Sequence, residues 1–108
     1  LKEINIIGDL RLHASIVKLL GVAFIEVKDE VKPSLILELA LGNLSDFFLA
    51  SSSVESQISI PWELVFYFAT DVCLALVALH DRQIIHADVK SQNILIFPSG
   101  VAKLSDFG

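Results

Sequence analysis

Hydrophobic and polar positions follow two periods along this chain. Ile4, Ile7, Leu10 and Arg11 recur at helical spacing, with Lys2, Glu3 and Asp9 elsewhere, which predicts a short amphipathic helix over 2–12, weakened by Gly8 and ending before His13. Ile16 to Val27 and Ser34 to Leu41 are rich in Ile, Val, Leu and Phe, and the charged stretch Lys28 to Pro33 separates them, so two strands joined by a turn are expected. Gly42-Asn43 closes the second strand, and Leu44 to Ala50 predicts one or two helical turns before an exposed Ser51-Ser52-Ser53 loop. Pro61, with Ser59 as a cap upstream, opens the longest helix, which runs to His80. Short strand-like runs follow at Ile84-Ile85, Ile94 to Phe97 and Val101 to Leu104, with Pro98-Ser99-Gly100 turning between the last two. The predicted order is helix, two strands, loop, long helix and hairpin, without an internal repeat or low-complexity tract.

Composition changes this picture in one respect. Of 108 residues, 54% are hydrophobic and 19% charged, with mean hydropathy +0.67. A small soluble domain needs more polar cover, so the chain reads as a piece of a larger core. The alternative, a membrane span over Trp62 to Leu79, fails on Glu63 and Asp71, the second of which would lie near the bilayer centre at a cost of ~3 kcal/mol. A buried helix of a soluble protein is the expectation, with no membrane segment. The start lacks an initiating Met and any signal-peptide pattern, which fits a fragment. Cys73 is the only cysteine and is expected to be a core thiol; cytoplasm is the weakly favoured compartment. A net charge of −5 gives no reason to expect nucleic acid or an anionic membrane as partner, and nothing in the pattern fixes an oligomeric state.

The chemistry concentrates in His86-Ala87-Asp88-Val89-Lys90-Ser91-Gln92-Asn93 and, one hairpin later, Asp106-Phe107-Gly108. These residues resemble the catalytic loop and the D-F-G motif of eukaryotic-type protein kinases. Six identities at fixed offsets would arise by chance in roughly one window in tens of millions, which sets coincidence aside. A lone Asp on a turn is ordinarily just a turn residue; the constellation reverses that judgement. The resemblance implies that Asp88 accepts or orients the proton of a substrate hydroxyl. It further implies that Lys90 reaches the transferred phosphoryl group and that Asn93 and Asp106 hold two Mg²⁺ ions on the phosphates of ATP. Strands over 94–97 and 101–104 would return both metal ligands to one edge.

The similarity extends along the whole chain. His13 to Gly21 resembles the segment leading into the fourth strand of the kinase N-lobe. Ser34 to Leu41 is similar to the fifth strand and hinge, placing Leu37 at the gatekeeper position and the backbone of Glu38, Leu39 and Ala40 along the adenine edge. Leu95 would lie under the adenine. Leu19, His86 and Phe107 would join a buried column with Ile7, so His86 is expected to be structural, as are His13 and His80. Trp62, Phe66, Tyr67 and Phe68 are expected to serve core or lobe packing rather than a ligand box. The implied fold class is α+β, a partial two-lobe protein kinase fold: 1–39 supplies the C-helix and strands 4 and 5 of the N-lobe. Residues 40–108 supply the hinge, helices D and E, the catalytic loop and the D-F-G motif.

Three departures matter. Ala87 replaces the arginine that in many kinases meets a phosphorylated activation segment, so control by that contact is not expected. Glu3, the candidate partner of the strand-3 lysine, lies ten residues before His13, one more than the family spacing. The glycine-rich loop and the peptide-binding lobe lie outside the 108 residues. Lys90 favours serine/threonine specificity, and HADVKSQNIL looks most like tyrosine-kinase-like or receptor-like serine/threonine kinases. The leading expectation is ATP- and Mg²⁺-dependent phosphoryl transfer to a protein Ser/Thr substrate by the full-length protein, with the fragment alone inactive. The alternatives are a pseudokinase acting as a nucleotide-binding or scaffolding module, and a truncated product with no folded life of its own.

Overall fold

The computed structural model describes residues 13–52 and 60–106. The predicted helix over 2–12, Glu3, Ile7, Ser59, Phe107 and Gly108 lie outside the described residues.

Strands β1 (Leu19–Val27) and β2 (Glu30–Leu37) form an antiparallel hairpin. Its loop is tighter than the sequence pattern predicts. Lys28 and Asp29 both adopt left-handed φ, 53° and 63°, which is the two-residue turn that matches strand twist, and Glu30 to Pro33 belong to the strand. Pro33 sits opposite Phe24 in a sheet that has only these two strands among the described residues, so it breaks no interior ladder. At the other end β1 starts three residues later than predicted: Ile16 instead makes an isolated parallel bridge to Leu104.

Strand β3 (Gly42–Asn43) leads into helix α1 (Leu44–Ser52). Asn43 and Asp46 form a reciprocal cap: the Asp46 N–H donates to Asn43 Oδ1 at 2.9 Å and the Asn43 N–H donates to Asp46 Oδ2 at 3.1 Å. A Cβ on Gly42 would meet Asp46 Oδ2 at 3.0 Å, so the cap requires glycine or a displaced carboxylate there. With its first turn fixed, α1 runs on through Ser51 and Ser52, where the sequence pattern predicts a loop.

Helix α2 (Trp62–Asp81) starts one residue after Pro61, which is extended at φ −62°, ψ 145° and makes no side-chain cap. Phe68, Ala75, Ala78 and Leu79 form its buried stripe. Cys73 is exposed, contrary to the core thiol expected, because five residues from Phe68 is about 140° around a helix. Trp62, Phe66 and Tyr67 are likewise 75, 69 and 68% exposed; of the aromatic cluster only Phe68 joins the core, edge-on to Phe47. Among the described residues α2 is the one helix long and apolar enough to cross a membrane, by length and composition only. Its buried stripe and Asp71, whose Oδ2 accepts the Ala102 N–H at 3.0 Å, dock it on a hairpin instead. Ile84-Ile85 forms no strand: the chain leaves α2 through Gln83 at φ 59°, with the Ile84 N–H bonded back to Leu79 O.

Strands β4 (Ile94–Ile96) and β5 (Ala102–Leu104) follow a single 3₁₀ turn (Ser91–Asn93) and complete the three-stranded sheet β3-β4-β5. The turn at Pro98-Ser99-Gly100 is as predicted, with Gly100 at φ 83°. The core gathers Ile16, Val17, Phe68, Leu79, Ile96 and Leu104 between this sheet and α2. The edge of strand β5 away from β4 is covered: Asp71 takes the Ala102 N–H, and the segment around Ile16 pairs alongside, with the Leu104 N–H donating to Ser15 O at 3.0 Å.

Candidate active site

The site grows from the helix exit and the β4–β5 hairpin. Both ring nitrogens of His86 are engaged. Nδ1 accepts the Asp88 N–H at 3.1 Å, so the proton resides on Nε2, which donates to Ser105 O at 2.6 Å. His86 is buried and structural, as expected. His13 serves similarly, accepting the Ser15 N–H on Nδ1. Between the two anchored residues, Ala87 is held at φ 68°, a conformation that costs a non-glycine residue about 1 kcal/mol and persists only where neighbours over-determine it.

Asn93 is buried and donates through Nδ2 twice to Asp88, to its backbone O at 2.9 Å and to Oδ2 at 3.1 Å. Lys90 Nζ lies 3.3 Å from the same Oδ2, with both side chains more than half exposed. The exposed carboxylate of Asp88 is thus oriented by an amide and a cation while remaining open to a substrate. The hairpin then closes the circuit. The Ser105 N–H and Oγ both donate to Asn93 O, at 2.9 and 3.1 Å, which brings Asp106, exposed and at φ 59°, beside Asn93.

The donor set suits a hard divalent cation. Asn93 spends its amide nitrogen on Asp88, which leaves its side-chain oxygen as acceptor, and Asp106 supplies a carboxylate; Mg²⁺ prefers such oxygens.

The residues expected around a base lie on the adjoining segments. Leu37 ends β2 half-buried, and Leu95 in β4 is half-buried between its cross-strand partners Asn43 and Lys103. Leu39 is 90% exposed and Ala40 packs against the core. Glu38 has more to do than lend backbone. Its N–H donates to Lys18 O at 3.1 Å, its Oε1 accepts the Lys18 N–H at 2.7 Å, and Lys103 Nζ, 2.6 Å away and 4.8 Å above the Phe97 ring, pairs with the same oxygen. Sequence reasoning missed this pair and Asp71, because both are contacts between distant segments; the only available hint was charge inside otherwise apolar runs. Of the expected buried column, Leu19 is half-buried and His86 buried; Ile7 and Phe107 lie outside the described residues. A separate apolar hollow of about 290 Å³ lies between α1 and α2, lined by Phe48, Val65, Val72, Cys73 and Ile94 among others. It contains none of the polar groups above and has no part in this chemistry.

Such an arrangement, an acid clasped by an asparagine and a second acid returned by a hairpin, is the pattern expected of a protein kinase domain. The chain belongs to the protein kinase domain family, which it matches over residues 1–108, and its fold is a partial two-lobe α+β kinase fold. It is 37% identical to the putative L-type lectin-domain containing receptor kinase V.6 of Arabidopsis thaliana over 112 residues, covering 100% of this chain and 20% of that protein. It is 35% identical to mitogen-activated protein kinase kinase kinase 1b of Physcomitrium patens over 107 residues, covering 98% of this chain and 12% of that one. With the serine/threonine-protein kinase PCRK2 of Arabidopsis thaliana it shares 36% identity over 109 residues, 98% of this chain and 25% of that protein. The chain thus spans a quarter or less of the length of these relatives.

Proposed function

We propose that, within its full-length protein, this domain transfers the γ-phosphoryl group of ATP to serine or threonine hydroxyls of a protein substrate in the cytoplasm. The observation that carries this reading is the clasp on Asp88: a carboxylate fixed by Asn93 Nδ2 and Lys90 Nζ, yet exposed. Asp88 orients the attacking hydroxyl and takes its proton, a role worth about 10²–10⁴-fold in rate. Lys90, 3.3 Å from Asp88, is placed to meet the phosphoryl group as it approaches that hydroxyl. Asn93 and Asp106 hold Mg²⁺, which when bound neutralises charge on the phosphates. The Glu38 N–H is committed to Lys18 O, so Glu38 offers its carbonyl alone to the adenine edge, which continues along the Leu39–Ala40 backbone, with Leu95 beneath and Leu37 behind.

Serine/threonine specificity is supported by Lys90 and by the names of the relatives. The test is phosphoryl transfer from labelled ATP by the full-length protein and its Asp88→Asn variant, each offered serine, threonine and tyrosine peptides. A rate drop of about 10²-fold or more, confined to serine and threonine peptides, is expected. Equal rates would remove Asp88 from its role and return the nucleotide-binding scaffold as the better reading.

A further inference from the structure

Ser105 immediately precedes Asp106 and is only 7% exposed, and every polar atom it owns is engaged. Its N–H and Oγ converge on one acceptor, Asn93 O, and its carbonyl receives the His86 Nε2–H. A closed circuit results: Ser105 donates to Asn93, Asn93 to Asp88, Asp88 to His86, and His86 back to Ser105. The circuit joins the proton acceptor Asp88 and one metal ligand, Asn93, and Ser105 is the member that precedes the other, Asp106, in the chain.

We propose that the Ser105 hydroxyl is a positioning group for the metal-ligand pair, fixing Asp106 relative to Asn93. This rests on the assignment of those two residues as Mg²⁺ ligands. The physical reason is torsional. With its N–H and Oγ on the same carbonyl, Ser105 is locked in φ and χ1, and the His86 bond fixes the peptide plane between Ser105 and Asp106. Asp106 then leaves that plane at φ 59°, a left-handed conformation that holds only when the preceding peptide is over-determined. An alanine keeps the backbone bond to Asn93 O, so the fold survives, while the side-chain lock is lost.

The experiment measures Mn²⁺, a paramagnetic stand-in for Mg²⁺, binding to the nucleotide-loaded full-length protein by electron paramagnetic resonance, alongside melting temperature and metal-free nucleotide affinity. Groups bonded to metal ligands typically set affinity within 10–100-fold, so Ser105→Ala should weaken Mn²⁺ binding by about 10-fold, at the low end of that range. Ser105→Thr, which keeps the hydroxyl, should stay within about twofold of wild type on the same scale. Melting temperature and metal-free nucleotide affinity should hold in both variants. Unchanged Mn²⁺ binding in Ser105→Ala overturns the proposal, as does Ser105→Thr binding as weakly as Ser105→Ala. A parallel loss of melting temperature and metal-free affinity also overturns it, because that is the signature of a merely structural residue. If the wild type binds Mn²⁺-nucleotide but transfers no phosphate, the kinase reading fails while the comparison between variants still decides the role of Ser105. If it binds none, both fall.

Discussion

The segment 86–106 and the β1–β2 hairpin are of similar length and are held in opposite ways. In 86–106, four side chains and their backbone close a hydrogen-bond circuit, and Ile94, Ile96, Ala102 and Leu104 are all buried. In the hairpin, alternate positions of β1 point Leu20, Val22 and Phe24 outward, 58, 43 and 74% exposed. The hairpin is tied to 86–106 at its base, where the Glu38 carboxylate accepts the Lys18 N–H and pairs with the Lys103 ammonium. The segment 86–106 thus carries its own scaffold, whereas the Glu38–Ala40 segment takes its position from a hairpin whose outer face is exposed among the described residues.

Core truncation should give the largest difference between the two regions. Leu104→Ala, fully buried in β5, should destabilise the protein by about 3 kcal/mol in chemical unfolding, while Phe24→Ala should cost under about 0.5 kcal/mol if its face stays open. A Phe24 cost near that of Leu104 would break the comparison by showing that other parts of the protein cover β1.

Next in size is the tie between the regions. Removing one partner of the Glu38–Lys103 pair, whose side chains are only 22 and 16% exposed, should cost about 2 kcal/mol, less than a fully buried pair because water still reaches it. A double-mutant cycle with Glu38→Gln and Lys103→Met should report a coupling of about 1 kcal/mol or more, and additive effects would deny the link.

The hairpin bearing Asp106 also leans on α2. Asp71→Leu leaves the Ala102 N–H without its acceptor and should cost about 1–2 kcal/mol in thermal unfolding, whereas Asp71→Asn keeps an acceptor and should cost under about 0.5 kcal/mol. Smallest is the α1 cap: Asn43→Ala should cost about 1 kcal/mol, and a helix unaffected by it would show that the Asn43–Asp46 exchange is incidental.

The same two regions differ in how far they could be read from the residues alone. The catalytic segment was legible because its chemistry lies in close succession, His86 to Asn93, and its return to Asp106 needs only a short hairpin whose Pro98-Ser99-Gly100 turn is local. The two strands of the hairpin are legible too, but the turn between them reads as too wide because Pro33 suggests a loop, and nothing local reveals that a proline stands in a two-stranded ladder. Helical periodicity marked Phe66, Tyr67 and Cys73 as apolar without saying which face of α2 meets the hairpin; only the position of β5 decides that. Asp71 and Glu38 eluded the sequence for the same reason, their partners being 31 and 65 residues away.

On the reading proposed above, the β4–β5 hairpin returns Asp106 to Asn93 so that the two hold one metal–nucleotide complex. Calorimetric titration of nucleotide into the full-length protein, with and without Mg²⁺, tests it against Asp106→Asn. Mg²⁺ should strengthen nucleotide binding to the wild type by about 10-fold or more and leave the variant nearly indifferent to it, with metal-free affinity alike in both. An Asp106→Asn variant that responds to Mg²⁺ as the wild type does would contradict it.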